Sequence, residues 1–315
     1  MNTGRAIGVA MTVVVVVCAA LLVSGCPTKS TTGGGPVATQ ASAPPPGAGG
    51  AARSGPQIEG TVTVKGSDTM VHLVSQWAEA FMKANPKADI QVTGGGSGTG
   101  MAALINGTTN IASSSRELKE DERKDAQAKG LTLTEFTVAR DGIAIVVHLS
   151  NPINELTMDQ LAKIYTGAST NWKQVGGPDH KIIAYSREST SGTYAFFQEH
   201  VMQKKDYRKD VRLMPATSGI IEAAAADKGA IGYAGLGYVV EAGSKVKVLS
   251  VKQDGKSPAI TPSETTVKDG TYSVARPLFL FTGGEPTGAV KAFIDFCKSP
   301  QGQQIVKDAG YVTVE

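Results

Sequence analysis

With 315 residues, 41% hydrophobic and 19% charged, the chain has ordinary globular composition and room for one or two domains. A net charge of +3 without a run of Lys and Arg, and with little aromatic interleaving, gives no support to a nucleic-acid partner. The four histidines, His72, His148, His180 and His200, show no metal-ligand spacing and no accompanying carboxylate pair, so no metal and no cofactor are expected.

Residues 1–25 read as a targeting segment: Arg5, then an apolar run from Ala6 to Val23 broken by Gly8 and Thr12, then Val23-Ser24-Gly25-Cys26. That ending resembles a lipobox, in which the cysteine takes lipid and becomes the new N-terminus. The run is also about long enough to span a bilayer, so a plain transmembrane helix is the alternative; the small residues before Cys26 favour lipidation. From residue 26 to 57 the composition falls to mostly Pro, Gly, Ala, Ser and Thr, with Val37 the only large aliphatic residue. Such a stretch has too little apolar surface to offset the entropy of ordering it, and reads as a disordered tether from a membrane to a folded body. Cys18 leaves with the signal and Cys26 takes lipid, so Cys297 has no disulfide partner.

The body, from Ile58 onward, alternates strand and helix signals, which points to an α/β fold with mainly parallel sheets flanked by helices. Thr61 to Val64 is a strand, Lys65-Gly66-Ser67-Asp68-Thr69 a polar turn, and Val71, Val74, Trp77, Ala78 and Phe81 a helical stripe that stops before Pro86. Ile90 to Thr93 alternates, Gly94 to Gly100 turns, and Met101 to Ile105 continues as helix. These glycines are not a Walker A loop, since no Lys follows, and Thr99 stands where a dinucleotide fingerprint needs its last glycine. A third turn, Ser113-Ser114-Ser115-Arg116, leads into a charged helix from Glu117 to Lys129, most simply a solvated face.

The fourth turn is the richest. Ile182 to Tyr185 feeds Ser186-Arg187-Glu188-Ser189-Thr190-Ser191-Gly192-Thr193, and Tyr194, Phe196, Phe197, His200 and Val201 follow at helical spacing. The first amides of a helix lack intrahelical partners and carry the positive end of its dipole, which suits an anion. Arg187 adds a planar fork of donors, and Ser191 and Thr193 add hydroxyls. Taken alone, Ser191 could simply cap its helix while Arg187 sits in solvent. Four such turns in one chain change that balance, because ligands of open α/β sheets bind outside the carboxyl ends of the strands. Thr132 to Arg140, leading into a strand from Gly142 to Leu149, and Thr271 to Arg276, leading into Leu278 to Phe281, read as crossings between lobes. One lobe would be 58–139 plus 276–315 and the other 140–275, with the ligand cleft at the hinge.

On these residues the body resembles the phosphate-binding proteins of the bacterial ABC-type phosphate transporter, the PstS type. The likeness rests on Lys65 to Thr69, Gly96 to Gly100, Ile164-Tyr165-Thr166-Gly167 with Asn171-Trp172, Arg187 to Thr193, and Gly229 to Tyr233. It implies a two-lobed type II periplasmic-binding-protein fold, with phosphate held by Arg187, Ser191, Gly192, Thr193 and Ser97, and with contacts from Asp68 and Thr69. Tyr165 and Trp172 bear on fold rather than chemistry. Family members known to carry an aspartate after the second strand of the first lobe use it to accept the phosphate proton; Ser114 stands at that place here. A carboxylate acceptor favours phosphate, which keeps a proton near neutral pH, over sulfate, which has none. Asp68 could supply it, or could be the N-cap of a helix from Thr69 to Ala84. Arg116 could be a second ligand arginine or a surface charge.

The resemblance implies a lipid-anchored, periplasmic or extracellular, monomeric receptor that delivers inorganic phosphate to the permease and ATPase of an ABC transporter. Alternatives are another tetrahedral oxyanion, sulfate or molybdate, or a phosphate-ester hydrolase. The last is disfavoured by the lack of a G-x-S-x-G elbow or metal cluster, and an adhesive surface protein would not need hydroxyls at four turns.

Overall fold

A computed structural model describes residues 58–314. The targeting segment, Cys26 and the tether lie outside them. In chain order the elements are β1 (Glu59–Gly66), α1 (Val71–Ala84), β2 (Lys87–Thr93), α2 (Ser97–Ile105), β3 (Ile111–Ser114), α3 (Glu120–Ala128) and β4 (Leu133–Val147). There follow β5 (Glu155–Thr157), α4 (Met158–Thr166), β6 (Ile183–Arg187), α5 (Gly192–His200), β7 (Arg212–Met214), α6 (Thr217–Ala226) and β8 (Ala230–Gly235). The chain ends with α7 (Leu236–Ala242), β9 (Lys247–Lys252), α8 (Glu264–Lys268), β10 (Ala275–Gly283), α9 (Gly288–Lys298) and α10 (Pro300–Asp308).

The first helix illustrates how the elements form. Leu73, Val74, Trp77, Ala78 and Phe81 fall on one face and are buried, while Pro86 forbids continuation beyond Asn85. Trp77 then donates its indole N–H to the Gly302 carbonyl at 2.8 Å, tying α1 to α10 and satisfying the one polar atom of a fully buried ring.

The strands run β2-β1-β3-β10-β4-β8-β6-β7, with β9 beside the second half of β4 and β5 beside β9. β1 is parallel to β2 and β3, and β6 is parallel to β7 and β8, as the strand and helix alternation predicts. β10 and β4 run against their neighbours. β4 is a single strand, where the sequence suggested a crossing segment followed by a strand. Its first part pairs with β10 from Leu133 to Gly142, and its second pairs with β8 from Ile143 to Val147. The first part looked weak in sequence because Leu133 to Thr137 are only half-buried or exposed, whereas Ile143 to Val147 are wholly buried.

The core is divided in the same place. One hydrophobic cluster draws on Val62 to Ala139 and Leu278 to Tyr311, including Trp77, Phe81, Phe293 and Cys297. Another draws on Ile143 to Val274 with Val312, including Tyr165, Trp172, Phe197 and Tyr233. Asp141 and Arg276 are register partners on β4 and β10 where one cluster gives way to the other. Among the described residues no helix is long and apolar enough to cross a membrane.

Candidate functional site

The four hydroxyl-rich turns lie at the carboxyl ends of β1, β2, β3 and β6. The turn after β1 is pinned to β3 by Ser67, whose N–H donates to the Ser113 carbonyl at 2.9 Å and to Ser113 Oγ at 3.0 Å. Its hydroxyl donates to Ser115 Oγ at 2.8 Å, and Ser115 Oγ lies 3.4 Å from Ser97 Oγ, the first residue of α2. Ser97 Oγ also accepts the Ser115 N–H at 3.1 Å. All three serines are buried.

The turn after β6 closes against this group. Gly98 N–H donates to the Thr190 carbonyl at 3.0 Å, and Gly96, at φ 93° and against the same carbonyl, leaves no room for a side chain. A Cβ on Gly192 would run into the hydroxyls of Ser97 and Ser115, so only glycine brings the first amide of α5 this close. Thr193 Oγ1 sits 2.7 Å from Thr69 Oγ1. Ser191 is the N-cap of α5, its Oγ accepting the amides of Thr193 and Tyr194, which leaves its hydroxyl hydrogen free for another acceptor.

Arg187, the last residue of β6, is 1% exposed rather than in solvent. Its Nη2 donates to Asp68 Oδ2 and to the Pro215 carbonyl, both at 2.7 Å, Nη1 to Thr217 Oγ1 at 2.6 Å, and Nε to the Met214 carbonyl at 3.1 Å. These partners fix the plane of the fork. Asp68 Oδ1 accepts the Gly95 N–H at 3.0 Å. The carboxylate therefore joins the turns after β1, β2 and β6, and the capping alternative for Asp68 is corrected. A 3-10 turn from Asp68 to Met70 precedes α1, with Ser67 at its cap position and no side-chain cap bond. The backbone of the turn is held from below by two phenols: Tyr238 donates to the Asp68 carbonyl at 2.6 Å and Tyr311 to the Thr69 carbonyl at 2.5 Å.

Two residues proposed from sequence point elsewhere. Arg116 donates from Nη1 to Glu122 Oε2 at 2.8 Å and to the Glu117 carbonyl at 2.8 Å, and from Nη2 to Glu122 Oε1 at 2.5 Å. It is neither a surface charge nor turned to the hydroxyl cluster; its fork faces the first turn of α3. Ser114 donates to the Arg116 carbonyl at 2.8 Å, so the hydroxyl this turn contributes to the cluster is that of Ser115. Asp68, Thr69, Ser97, Arg187, Ser191, Gly192 and Thr193 do come together.

Sequence reasoning missed Ser67, Ser115, Thr217, Asp141 and Arg276 as parts of the site. Arg276 is 2% exposed and Asp141 0%; Nη2 of the first donates to Oδ2 of the second at 3.0 Å and to Thr193 Oγ1 at 2.9 Å, and Nη1 donates to the Ser115 carbonyl at 2.7 Å. Burial pushes the Asp141 carboxyl upward, and the facing guanidinium together with the Leu236 amide opposes it. The signal for Arg276 was available: a lone charge inside an apolar strand pattern, Val274-Ala275-Arg276-Pro277-Leu278, needs a buried partner.

Chemically, the cluster offers hydroxyls, helix-start amides and the Arg187 guanidinium as donors, with the Asp68 carboxylate as acceptor, while Arg276 and Asp141 pair with each other behind Thr193. That set suits an oxyanion that still carries a proton. Among the described residues no group of His, Cys, Asp and Glu could hold a metal ion.

The comparisons with known proteins agree with this geometry. Residues 50–301 match the family described as the PBP superfamily domain. The chain is 36% identical over 266 residues to the phosphate-binding protein PstS of Bacillus subtilis, covering 84% of each. It is 34% identical over 261 residues to that of Staphylococcus haemolyticus, covering 81% of each. The crystal structure of a phosphate ABC transporter substrate-binding protein from Clostridium perfringens, with bound phosphate, is 31% identical with a TM-score of 0.74, covering 81% of this chain and 100% of that one.

Proposed function

Since the chain belongs to the PBP superfamily, and within it to the PstS-type phosphate-binding proteins, we propose that it captures inorganic phosphate outside the cytoplasm for import by an ABC transporter. It acts as a binding protein and not as an enzyme. The observation that carries this reading is the convergence of Thr69, Ser97, Ser115 and Thr193 on the start of α5 beside the buried Arg187 and its partly buried partner Asp68.

Phosphate would take hydrogen bonds from the amides that open α2 and α5, from Ser97, Ser191 and Thr193, and from the remaining capacity of Arg187. Gly192 permits the approach. Asp68 would accept the phosphate proton, the task that the resemblance gives to an aspartate at the place of Ser114, whose hydroxyl is turned to the Arg116 carbonyl. Residues 58–139 with 276–315 and residues 140–275 would act as two lobes hinged at β4 and β10. The ligand would stabilise the closed form by its differential affinity for it. A permease and its ATPase would read that form. Lipid on Cys26 and the tether of residues 26–57 would hold the monomeric receptor at a membrane.

A chain starting at Ile58 tests the core of this reading, because every residue named in the cluster lies beyond that point. Calorimetric titration should show phosphate bound as tightly as by the full chain. Absence of phosphate binding in both would overturn the function, and absence in the short chain alone would overturn the assignment of the tether.

A further inference from the structure

We propose that Arg276 is a specificity-determining residue of this site, holding Thr193 from behind so that the hydrogen-bonded pair of Thr69 and Thr193 turns a hydroxyl proton toward the ligand, and tipping the site toward the doubly charged form of a tetrahedral oxyanion. The inference rests on the phosphate reading above. It starts from hydrogen-bond polarity. A guanidinium has donors and no acceptor, so an oxygen that it touches must accept in that bond. Arg276 Nη2 reaches Thr193 Oγ1 at 2.9 Å and Thr69 Oγ1 at 3.5 Å, and those two oxygens are 2.7 Å apart. One of these hydroxyls donates to the other, and with a Thr193 lone pair taken from behind the remaining proton of the pair is available to a ligand oxygen lying in front.

A ligand oxygen placed there meets a hydroxyl donor with a cation behind it, so a bare oxygen suits the place better than a proton-bearing one. The singly protonated dianion needs one acceptor, and Asp68 is the carboxylate in the cluster; the doubly protonated monoanion needs two. Charge acts in the same direction. Arg276 is held fully inside the protein, its Nε has no hydrogen-bond partner among the described residues, and the guanidinium lies 5.3 Å over the Phe196 ring. Its countercharge is Asp141 at 3.0 Å. The other ionisable groups facing it are Tyr233 from β8 and Tyr311 beyond α10, with Asp68 and Arg187 across the cluster. Burial pushes the Tyr233 phenol up to about 12 and the Tyr311 phenol well above the usual phenol range. Both stay neutral around pH 7, whereas phosphate exchanges its second proton there.

The test is calorimetric titration of the full chain with inorganic phosphate at about pH 6 and about pH 8, comparing wild type, Arg276→Gln, Arg276→Lys and Asp141→Asn. Wild type should bind more tightly at the higher pH. Arg276→Gln, whose amide oxygen can accept, should lose about tenfold or more in affinity at the higher pH and less than about threefold at the lower, flattening the ratio. Arg276→Lys should restore part of the ratio, since it restores charge without the fork. Asp141→Asn keeps a single acceptor where the carboxylate met both the Leu236 amide and Arg276, removes the countercharge, and should steepen the ratio. A loss in Arg276→Gln equal at both pH values would reduce Arg276 to packing and overturn the inference alone. Should that variant not fold, an unchanged or flatter ratio in Asp141→Asn would overturn it. Wild type binding no phosphate at either pH would overturn the phosphate reading itself.

Discussion

The turn after β3 and the turn after β6 are written in the same residues, serine hydroxyls beside one arginine at the approach to a helix, and they end differently. Arg187 is the final residue of its strand, so backbone pairing with β7 and β8 sets where its side chain starts. The carboxylate that meets it, Asp68, is 119 residues away in sequence. Arg116 lies beyond the end of β3, and the carboxylate that meets it, Glu122, is six residues away in the first turn of the next helix. Glu122 also accepts the Lys119 amide at 3.1 Å, so it caps α3 while holding Arg116. Hydroxyls and an arginine after a strand therefore predict an anion-rich or anion-binding turn. The nearest buried carboxylate decides which.

The largest contrast should come from removing each arginine. Arg187→Ala deletes the cation paired with Asp68 and leaves that carboxylate without its partner, and should weaken phosphate binding by several kcal/mol, about 100-fold or more in affinity by titration. Binding within about threefold of wild type would erase the distinction between the two turns. Next in size is Asp68→Asn. The amide has a single acceptor oxygen where the carboxylate met both Arg187 and Gly95, and it can also donate, so phosphate affinity should fall by roughly tenfold while sulfate affinity rises. An unchanged phosphate-to-sulfate ratio would leave Asp68 with a purely structural part.

Arg116→Ala should behave in the opposite way. Phosphate affinity should stay within about threefold, while thermal unfolding should show a loss of about 2 kcal/mol, because Glu122, 15% exposed, is left without its cation. Loss of binding with unchanged stability would return Arg116 to the ligand. The smallest effect separates neighbouring serines. Ser115→Ala removes the hydroxyl between Ser67 and Ser97 and should reduce phosphate affinity by a few-fold, on the order of 1 kcal/mol. Ser114→Ala, whose hydroxyl faces the Arg116 carbonyl, should change affinity less than Ser115→Ala does, and the reverse order in parallel titrations would show that the wrong serine has been assigned.

Much of the fold was legible because its signals are local. The α1 stripe, the strand, turn and helix repeats and the Ser191 cap can each be read within a dozen residues, and the structure has them where periodicity and capping rules predict. The continuity of β4 was not legible, since its first part is half-exposed and carries no strong pattern, and only pairing with β10 from far along the chain makes it a strand. The site divides along the same line. Turn residues Thr69, Ser97 and Thr193 announce themselves by composition, whereas Arg276 and Asp141 are joined by register across 135 positions, which no spacing rule reaches. Arg116 misled for the converse reason: its local context resembles that of Arg187, and the difference lies in Glu122, which reads as one more charge on a solvated helix.

The most direct measurement is a crystal structure of the chain grown with phosphate. Phosphate oxygens should lie about 2.6–3.0 Å from the hydroxyls of Ser97 and Thr193, from the amides that open α5 and from Arg187, with one oxygen facing Asp68 and with Arg116 still on Glu122. Phosphate found away from the start of α5, or held by Arg116 instead of Arg187, would contradict the account.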